Sequence, residues 1–179
     1  KGAIGLSVHY AKFSNDGKKM ISSYGRGAKI WDVQTGKKIA RLRVRGSLKE
    51  YSSASQFAEF SSSGNKVVTF TLENQAMVWD GNSSKLITTL YGHHGSINCA
   101  IFTKDEKYVI TCSYDQTTKL WDASTGELKL EFKGHTKDLW KVDFLPQDHD
   151  SLNSKTYIIY NTEIKVREAV NGNIQAVMA

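Results

Sequence analysis

Four short runs rich in apolar and other β-favouring residues follow one another in the middle of the chain, and turn residues separate them. The runs are Ile97 to Phe102, Tyr108 to Ser113, Thr117 to Asp122 and Leu128 to Phe132. The segments between them are rich in Asp, Ser, Thr and Gly. Short β-favouring runs with such boundaries are typical of strands joined by tight turns. The pattern predicts four consecutive β-strands.

The dipeptide Trp-Asp recurs three times and indicates an internal repeat. It begins at Trp31, Trp79 and Trp121, so the spacings are 79 − 31 = 48 and 121 − 79 = 42 residues. A unit of roughly 40 to 45 residues has therefore been copied with small insertions. A fourth copy has Arg167 and Glu168 in place of Trp-Asp. In the four copies the first predicted strand ends at Phe13, Phe60, Phe102 and Phe144.

The third copy opens with Gly92 and His93 and ends its third strand with Trp121 and Asp122, and in this it resembles a WD40 repeat. The resemblance implies an all-β fold of β-propeller blades, each with four antiparallel strands. Four blades are visible, with approximate bounds 1–45, 46–90, 91–133 and 134–179, and together they form one propeller portion that fills the chain.

WD40 propellers usually close with seven or eight blades, which takes about 300 residues. We therefore expect the four blades to be part of a larger ring and the 179 residues to be a piece of a longer protein. An open row of blades exposes apolar faces that a closed ring buries. Further blades, from the same polypeptide or from a partner chain, are expected to complete the ring.

The resemblance also implies a hydrogen-bonded chain of four side chains in a complete blade. In the third copy these are His93, Thr111, Asp115 and Trp121. Each buried polar group left without a partner costs about 1 to 3 kcal/mol, so such a chain is structural and not catalytic. The other copies keep only parts of it: Ser22 with Trp31, Thr69 with Trp79, and His135.

Composition is that of an intracellular globular β protein. The chain is 40% hydrophobic and 11% aromatic, and no apolar run approaches the length of a membrane-spanning helix. Cys99 and Cys112 lie on neighbouring predicted strands, where free buried thiols are the ordinary interpretation and a disulfide the minor one. We expect a cytoplasmic or nuclear protein without a membrane partner.

The residues that could carry out chemistry do not converge on one place. There is no nucleophile-elbow pattern, and His93 and His135 already hold structural positions. Asp148, His149 and Asp150 lie in a polar insertion, and the segment 25–27 lacks the Lys-Ser/Thr of a phosphate loop. The sequence therefore predicts no enzyme activity, no cofactor and no metal site.

Binding remains, and propeller geometry predicts where it occurs. The loops between blades and the turns between second and third strands line one rim around the central channel. At the entry to the inner strands this rim holds His9, Gln56, Asn98 and Trp140. In the turns between second and third strands it holds Tyr24, Arg26, Asn74, Gln75, Tyr114, Gln116, Asn161 and Thr162.

Trp140 is the rim residue with the strongest claim to be an anchor. Its counterparts in the other copies are polar or modest in size, so the fold does not require an indole there. Trp is enriched among residues that dominate binding energy, where truncation costs about 2 kcal/mol or more. Trp140 shares its side of the strand with Val142 and Phe144, however, so a role in the core is equally open.

The net charge of +6 and the pI of about 9.2 direct attention to one basic stripe. Arg41, Arg43 and Arg45 alternate with apolar residues in a predicted outer strand, so they share one face while Leu42 and Val44 face inward. The stripe could bind an acidic protein, phosphate or RNA. The favoured interpretation is a solvated strand whose charges discourage edge pairing, since a few surface charges in a repeat protein say little about partners.

Two classes of function follow from these observations. The favoured one is a non-catalytic scaffold that docks proteins or peptides on the rim within a larger complex. The alternative is a component of an RNA-associated assembly that uses the basic stripe. A phosphate-driven complex weakens steeply with ionic strength, whereas an aromatic-anchored peptide site changes little, so salt discriminates between them.

Overall fold

The computed structural model describes residues 8–24, 27–43, 55–71, 74–133, 136, 139, 141–144, 155–159, 164–170 and 173–178. Within these residues, sixteen strands form four antiparallel sheets of four strands, and we call the sheets blades 1 to 4. In each blade the strands lie side by side in chain order. The predicted all-β fold, with four antiparallel strands in each blade, is confirmed.

The strand bounds are as follows. Blade 1 contains β1 (Val8–Phe13), β2 (Lys19–Tyr24), β3 (Gly27–Asp32) and β4 (Lys38–Arg43). Blade 2 contains β5 (Ser55–Phe60), β6 (Lys66–Thr71), β7 (Ala76–Asp80) and β8 (Leu86–Leu90). Blade 3 contains β9 (Ile97–Phe102), β10 (Tyr108–Ser113), β11 (Thr118–Asp122) and β12 (Leu128–Phe132). Blade 4 contains β13 (Lys141–Phe144), β14 (Lys155–Ile159), β15 (Ile164–Val170) and β16 (Asn173–Met178).

The Trp-Asp dipeptide at the end of the third strand of blades 1, 2 and 3 contributes two separate structural features. In blades 2 and 3 the indole is buried, because Trp79 is 4% exposed and Trp121 is 1% exposed. The aspartate closes the turn to the fourth strand, since Asp122 Oδ1 accepts hydrogen bonds from the backbone N–H groups of Ser124 and Thr125 at 2.8 and 2.9 Å. These bonds hold the pKa of Asp122 below its ordinary value.

The apolar core lies between the blades and not within one sheet. We call the face of a blade that looks toward the lower-numbered blade its leading face, and the opposite one its trailing face. Between blades 1 and 2, Ile30 and Leu42 of a trailing face pack against Val67 and Trp79 of a leading face. The cluster between blades 2 and 3 contains Val68, Phe70, Leu90, Phe102 and Trp121. The cluster between blades 3 and 4 contains Ile110, Cys112, Leu139 and Val142.

Alternation along each strand explains why both faces of a blade are apolar. Successive side chains of a strand point to opposite sides of the sheet, and a propeller blade has a neighbour on each side. In β10, Val109 belongs to the cluster shared with blade 2, whereas Ile110 belongs to the cluster shared with blade 4. Cys99 and Cys112 are directly opposite each other on β9 and β10, and both are free thiols.

Candidate interaction surface

The structure brings the four side chains of the expected network together in blade 3. The indole Nε1 of Trp121 donates to Thr111 Oγ1 at 2.8 Å. Thr111 Oγ1 lies 2.6 Å from His93 Nε2, and His93 Nδ1 lies 2.7 Å from Asp115 Oδ2. The chain therefore runs from the buried indole, through a strand hydroxyl and a buried imidazole, to a carboxylate in the turn between β10 and β11.

The donors of this chain fix the tautomer of His93. An indole N–H can only donate, so the Thr111 oxygen accepts from Trp121 and directs its own proton to His93 Nε2. The remaining ring proton then lies on Nδ1 and is donated to Asp115. Burial lowers the pKa of His93, although the bond with Asp115 opposes this effect. The imidazole is neutral, and both of its nitrogens are occupied.

Asp115 anchors the whole turn between β10 and β11. Besides His93, its carboxylate accepts hydrogen bonds from the backbone N–H groups of His94 and Thr117, both at 2.9 Å, and from Thr117 Oγ1 at 2.6 Å. Burial acts to raise the pKa of Asp115, but the bonds from Thr117, His93 and His94 outweigh it and lower the pKa to about 2. The carboxylate is therefore charged and tightly held.

The loop that enters blade 3 packs directly on this turn. Ser113 Oγ donates to the Gly95 carbonyl at 2.9 Å, and the Tyr114 backbone N–H donates to the Ser96 carbonyl at 3.0 Å. A Cβ atom on Gly95 would lie only 2.7 Å from the Asp115 backbone nitrogen. Only glycine fits so close a backbone approach, and the loop and the turn form one rigid unit.

Two of the expected rim residues, Tyr114 and Gln116, flank Asp115 on this unit. Gln116 is exposed and has a left-handed φ of 65°, and Tyr114 is partly exposed. Asn74 occupies the same turn position in blade 2 with a φ of 64°, followed by the partly exposed Gln75. Asn74 and Gln116 thus share a left-handed backbone conformation at the same turn position of blades 2 and 3.

Asn98, expected at the same rim, is used within the fold. Its Nδ2 donates to the Leu139 carbonyl at 2.7 Å and so ties blade 3 to the entry of blade 4. For His9, Gln56 and Tyr24 the structure places the backbone in strands β1, β5 and β2. The remaining expected rim residues lie outside the described residues: Arg26, Trp140, Asn161 and Thr162.

The structure covers the basic stripe in part. Arg41 is exposed on β4, and Leu42 points the other way into the interface with blade 2, where it is 1% exposed. Arg43 ends the same strand, and Arg45 and Val44 lie outside the described residues.

One polar cluster along the inner strands of blades 1 and 2 was missed by sequence reasoning. Glu59 on β5 accepts a hydrogen bond from Tyr10 at 2.8 Å and forms an ion pair with Lys12 at 2.6 Å. Burial and then the bond with Glu59 raise the pKa of the Tyr10 hydroxyl. The ring of Tyr10 also meets Phe57 edge-on. Nothing local in the sequence signals these contacts, because the partners are almost fifty residues apart.

No group of three or more metal-ligating side chains occurs among the residues that the structure describes. Across the same part of the chain, none of the elements is a helix long and apolar enough to cross a membrane.

Comparison with known proteins gives three findings. The family model of the WD domain, G-beta repeat, matches residues 84–122. The chain is 29% identical over 153 residues to guanine nucleotide-binding protein subunit beta-1 of Drosophila melanogaster. This alignment covers 79% of this chain and 43% of that protein. The structures of U3-55K and of the RRP9 WD40 repeats both superpose with a TM-score of 0.76 and 17% identity.

These matches differ in what they cover. The two superpositions extend over 99% of this chain, but over only 53% of the U3-55K chain and 52% of the RRP9 chain. At 17% identity they support the fold alone. The chain thus spans about half the length of the proteins it matches.

Proposed function

We propose that this chain of WD40-type repeats is a non-catalytic scaffold that binds protein or peptide partners on its rim, within a larger complex. The observation that supports it best is the anchoring of the turn between β10 and β11 by Asp115. Four hydrogen bonds to its carboxylate tie the residue between Tyr114 and Gln116 to Thr117 and to the loop that enters blade 3. A surface that is already rigid loses little conformational entropy on binding, which favours affinity.

The chemistry of the presented side chains agrees with peptide recognition. Tyr combines a large apolar ring with one hydroxyl and has few rotatable bonds, which is why it recurs in binding surfaces. Gln116 adds an amide that can donate to and accept from a peptide backbone. His93 is not available to a substrate, since its side chain is buried and both ring nitrogens are engaged.

The test compares a rim variant with a variant of the opposite end of the same blade. The rim variant is Tyr114→Ala with Gln116→Ala. The control is Lys104→Ala, an exposed residue in the turn between β9 and β10. The intact tagged protein is purified from its own cells with each change, and co-purifying proteins are quantified by mass spectrometry.

We expect a specific set of partners to be lost from the rim variant and kept by the control. With one such partner purified, the loss of a hot spot worth about 2 kcal/mol should weaken binding about 30-fold. A rim variant that folds normally and keeps every partner at wild-type level would count against the proposal.

Association with RNA is a second candidate, favoured by an uneven distribution of charge. Residues 1–45 hold 11 Lys and Arg and 2 Asp and Glu, a net charge of 11 − 2 = +9. Residues 46–179 hold 13 Lys and Arg and 16 Asp and Glu, a net charge of 13 − 16 = −3. A strongly cationic first blade could contact phosphates. Ribonuclease treatment and a steep fall of binding with salt would distinguish this candidate from the peptide scaffold.

A further inference from the structure

Blade 3 carries both cysteines of the chain at one cross-strand position. Cys99 on β9 and Cys112 on β10 are Cα partners, so both side chains leave the sheet on the same face. That face looks toward blade 4, since Cys112 packs in the cluster with Leu139 and Val142, and Cys99 packs against it. Directly opposite residues of an antiparallel pair have Cα atoms about 4.5 to 5.5 Å apart, and a disulfide spans about 4.4 to 6.8 Å. The backbone therefore places the two thiols where a disulfide can join them.

The other blades show that packing does not require cysteine at this position. It holds Tyr10 and Ser23 in blade 1, and Phe57 and Phe70 in blade 2. The two phenylalanines of blade 2 stack with their ring centres 5.4 Å apart. The thiols of blade 3 fill the same place and add a pair of groups that can be oxidised reversibly.

The two thiols differ in how an oxidant can reach them. Cys99 is partly exposed on β9, which lies against β5 and β13, the first strands of the neighbouring blades. Cys112 is 0% exposed. A hydrogen bond with Cys99, and then burial, raise the pKa of the Cys112 thiol well above its ordinary value. Oxidation therefore begins at Cys99, and Cys112 keeps its proton until it reacts.

A buried hydroxyl lies on the other side of Cys112. Thr118 on β11 is directly opposite Cys112 on the same face and is fully buried. Within the described residues, its Oγ1 is a buried side-chain oxygen without a hydrogen-bond partner. Such a group is unusual in a folded protein, and its O–H is a donor beside the sulfur. It can bond the Cys112 sulfur as that sulfur loses its proton, which favours the thiolate.

Both thiols also contact the backbone of blade 4. Cys99 Sγ lies 3.6 Å from the Val142 carbonyl oxygen, and Cys112 Sγ lies 3.8 Å from the Leu139 carbonyl oxygen. The Leu139 carbonyl also accepts the bond from Asn98. A disulfide has no S–H group, so its formation removes both thiol donors from the entry of blade 4. The bond from Asn98 stays, so the entry is loosened but not released.

We propose that Cys99 and Cys112 form a reversible disulfide when the protein meets hydrogen peroxide, and that this bond loosens the attachment of blade 4 to blade 3. First, the Cys99 thiolate attacks one peroxide oxygen, which gives a sulfenic acid and releases hydroxide, and the hydroxide takes up the Cys99 proton. The Cys112 sulfur then attacks the Cys99 sulfur, the S–O bond breaks, and the leaving hydroxide takes the Cys112 proton. Two thiols and one peroxide thus give one disulfide and two waters, and two electrons pass from sulfur to oxygen.

Peptide mass spectrometry of the intact protein after brief treatment with hydrogen peroxide tests the bond itself. Thiols left free are alkylated after denaturation, and a second sample is reduced with dithiothreitol before alkylation. We expect a peptide pair joined through Cys99 and Cys112, lighter by the two thiol hydrogens, which disappears on reduction. Mixed light and heavy isotope-labelled protein should show that both peptides come from one molecule.

Three results of this experiment would overturn the proposal. They are full alkylation of both residues, an alkylated Cys112 together with a Cys99 oxidised beyond the sulfenic acid, and a joined pair whose peptides come from two molecules.

Single-cysteine variants test the order of the two steps. Cys112→Val keeps Cys99 and removes the thiol that closes the bond, so dimedone should label the persistent sulfenic acid about tenfold or more above wild type. Cys99→Val is the matched control, and its buried Cys112 should stay unlabelled. Thr118→Val should also raise the label on Cys99, because it removes the donor that favours the Cys112 thiolate. Equal labelling of Cys99 in wild type and Cys112→Val would refute the closing role of Cys112.

Hydrogen exchange measures the effect on blade 4. Loss of a weak hydrogen bond should speed amide exchange in the segment 139–144 about threefold in the oxidised protein. Peroxide should leave this segment unchanged in Cys99→Val, which cannot form the bond. Unchanged exchange in the oxidised wild type, or equal acceleration in Cys99→Val, would contradict the loosening of blade 4.

Discussion

At the scale of single residues, a strand hydroxyl receives the indole N–H in three blades, but its surroundings differ. Thr111 is bonded to both Trp121 and His93, whereas among the described residues Thr69 is bonded to Trp79 and Ser22 to the half-buried Trp31. Removing a hydroxyl leaves its buried partners without a hydrogen bond, at about 1 to 3 kcal/mol. The loss of unfolding free energy should therefore decrease in the order Thr111→Val, Thr69→Val, Ser22→Ala.

Chemical denaturation of the three variants under one set of conditions measures this order. The two threonine variants are matched, since both replace a buried threonine by a side chain of similar shape. If Thr69→Val were as costly as Thr111→Val, the bond to His93 would add nothing to stability, and the network would reduce to the indole bond alone.

The pH dependence of stability follows from His93 and Asp115. Burial lowers the pKa of His93 below 6.5 in the folded state, so the unfolded chain binds the proton more readily. The contribution of neutral His93 to stability is complete above pH 6.5. It is lost as the pH falls from 6.5 through the pKa that His93 has in the folded state. Asp115 adds a second loss below its ordinary pKa of 3.8, which continues to about 2. Unfolding free energy measured against pH should therefore decrease on acidification, starting near pH 6.5.

His93→Gln should flatten the upper part of this curve, because it removes the titrating group. His94→Gln, which changes the exposed neighbour, is the matched control. The assignment to His93 is wrong if both variants flatten the curve equally.

The network residues could be predicted because the resemblance to a WD40 repeat implies such a network, and the register of the repeat assigns it to His93, Thr111, Asp115 and Trp121. Thr117, which gives Asp115 two of its hydrogen bonds, was missed although it lies only two residues further on. Such a short-range turn bond could have been expected from the spacing alone. The bonds of Tyr10 and Lys12 to Glu59 could not, since only folding brings β1 and β5 together.

At the scale of elements, the strands of blade 3 begin and end within a residue of the predicted runs. Strong turn signals and alternating strands fix these bounds locally. The contacts between turns of neighbouring blades are not local, and the sequence did not predict them. Glu106, in the turn before β10, accepts hydrogen bonds from Ser62 Oγ at 2.9 Å and Ser63 Oγ at 3.1 Å in blade 2. Lys66 Nζ donates to the Glu106 carbonyl at 3.1 Å.

These turn contacts link neighbouring blades on the side away from the Asp115 turn. Lys19 of blade 1 reaches the Gly64 carbonyl at 3.2 Å and Asn82 Oδ1 at 2.7 Å in the same way. Blades 1 to 3 are therefore joined by polar bonds at their turns as well as by the apolar clusters between their faces.

At the scale of the whole molecule, the glycine in the turn between the third and fourth strands of a blade indicates whether another blade packs against its leading face. Gly126 of blade 3 has a φ of 78°, and a Cβ there would lie 2.5 Å from Thr88 Oγ1 and 2.9 Å from the Thr89 carbonyl of blade 2. Gly36 occupies the same position in blade 1 with a φ of 66°, and no described atom lies within 4 Å of its Cβ site.

The two glycines therefore form a matched pair for testing whether a further blade covers blade 1. Alanine at either site costs about 1 to 2 kcal/mol, because the backbone is left-handed there. Gly126→Ala also forces the turn away from the Thr89 carbonyl. If a blade covers blade 1 in the intact protein, Gly36→Ala meets the same obstruction, and thermal unfolding should show equal losses for both variants. A Gly36→Ala loss limited to the backbone cost, with a clearly larger loss for Gly126→Ala, would mean that blade 1 ends the row.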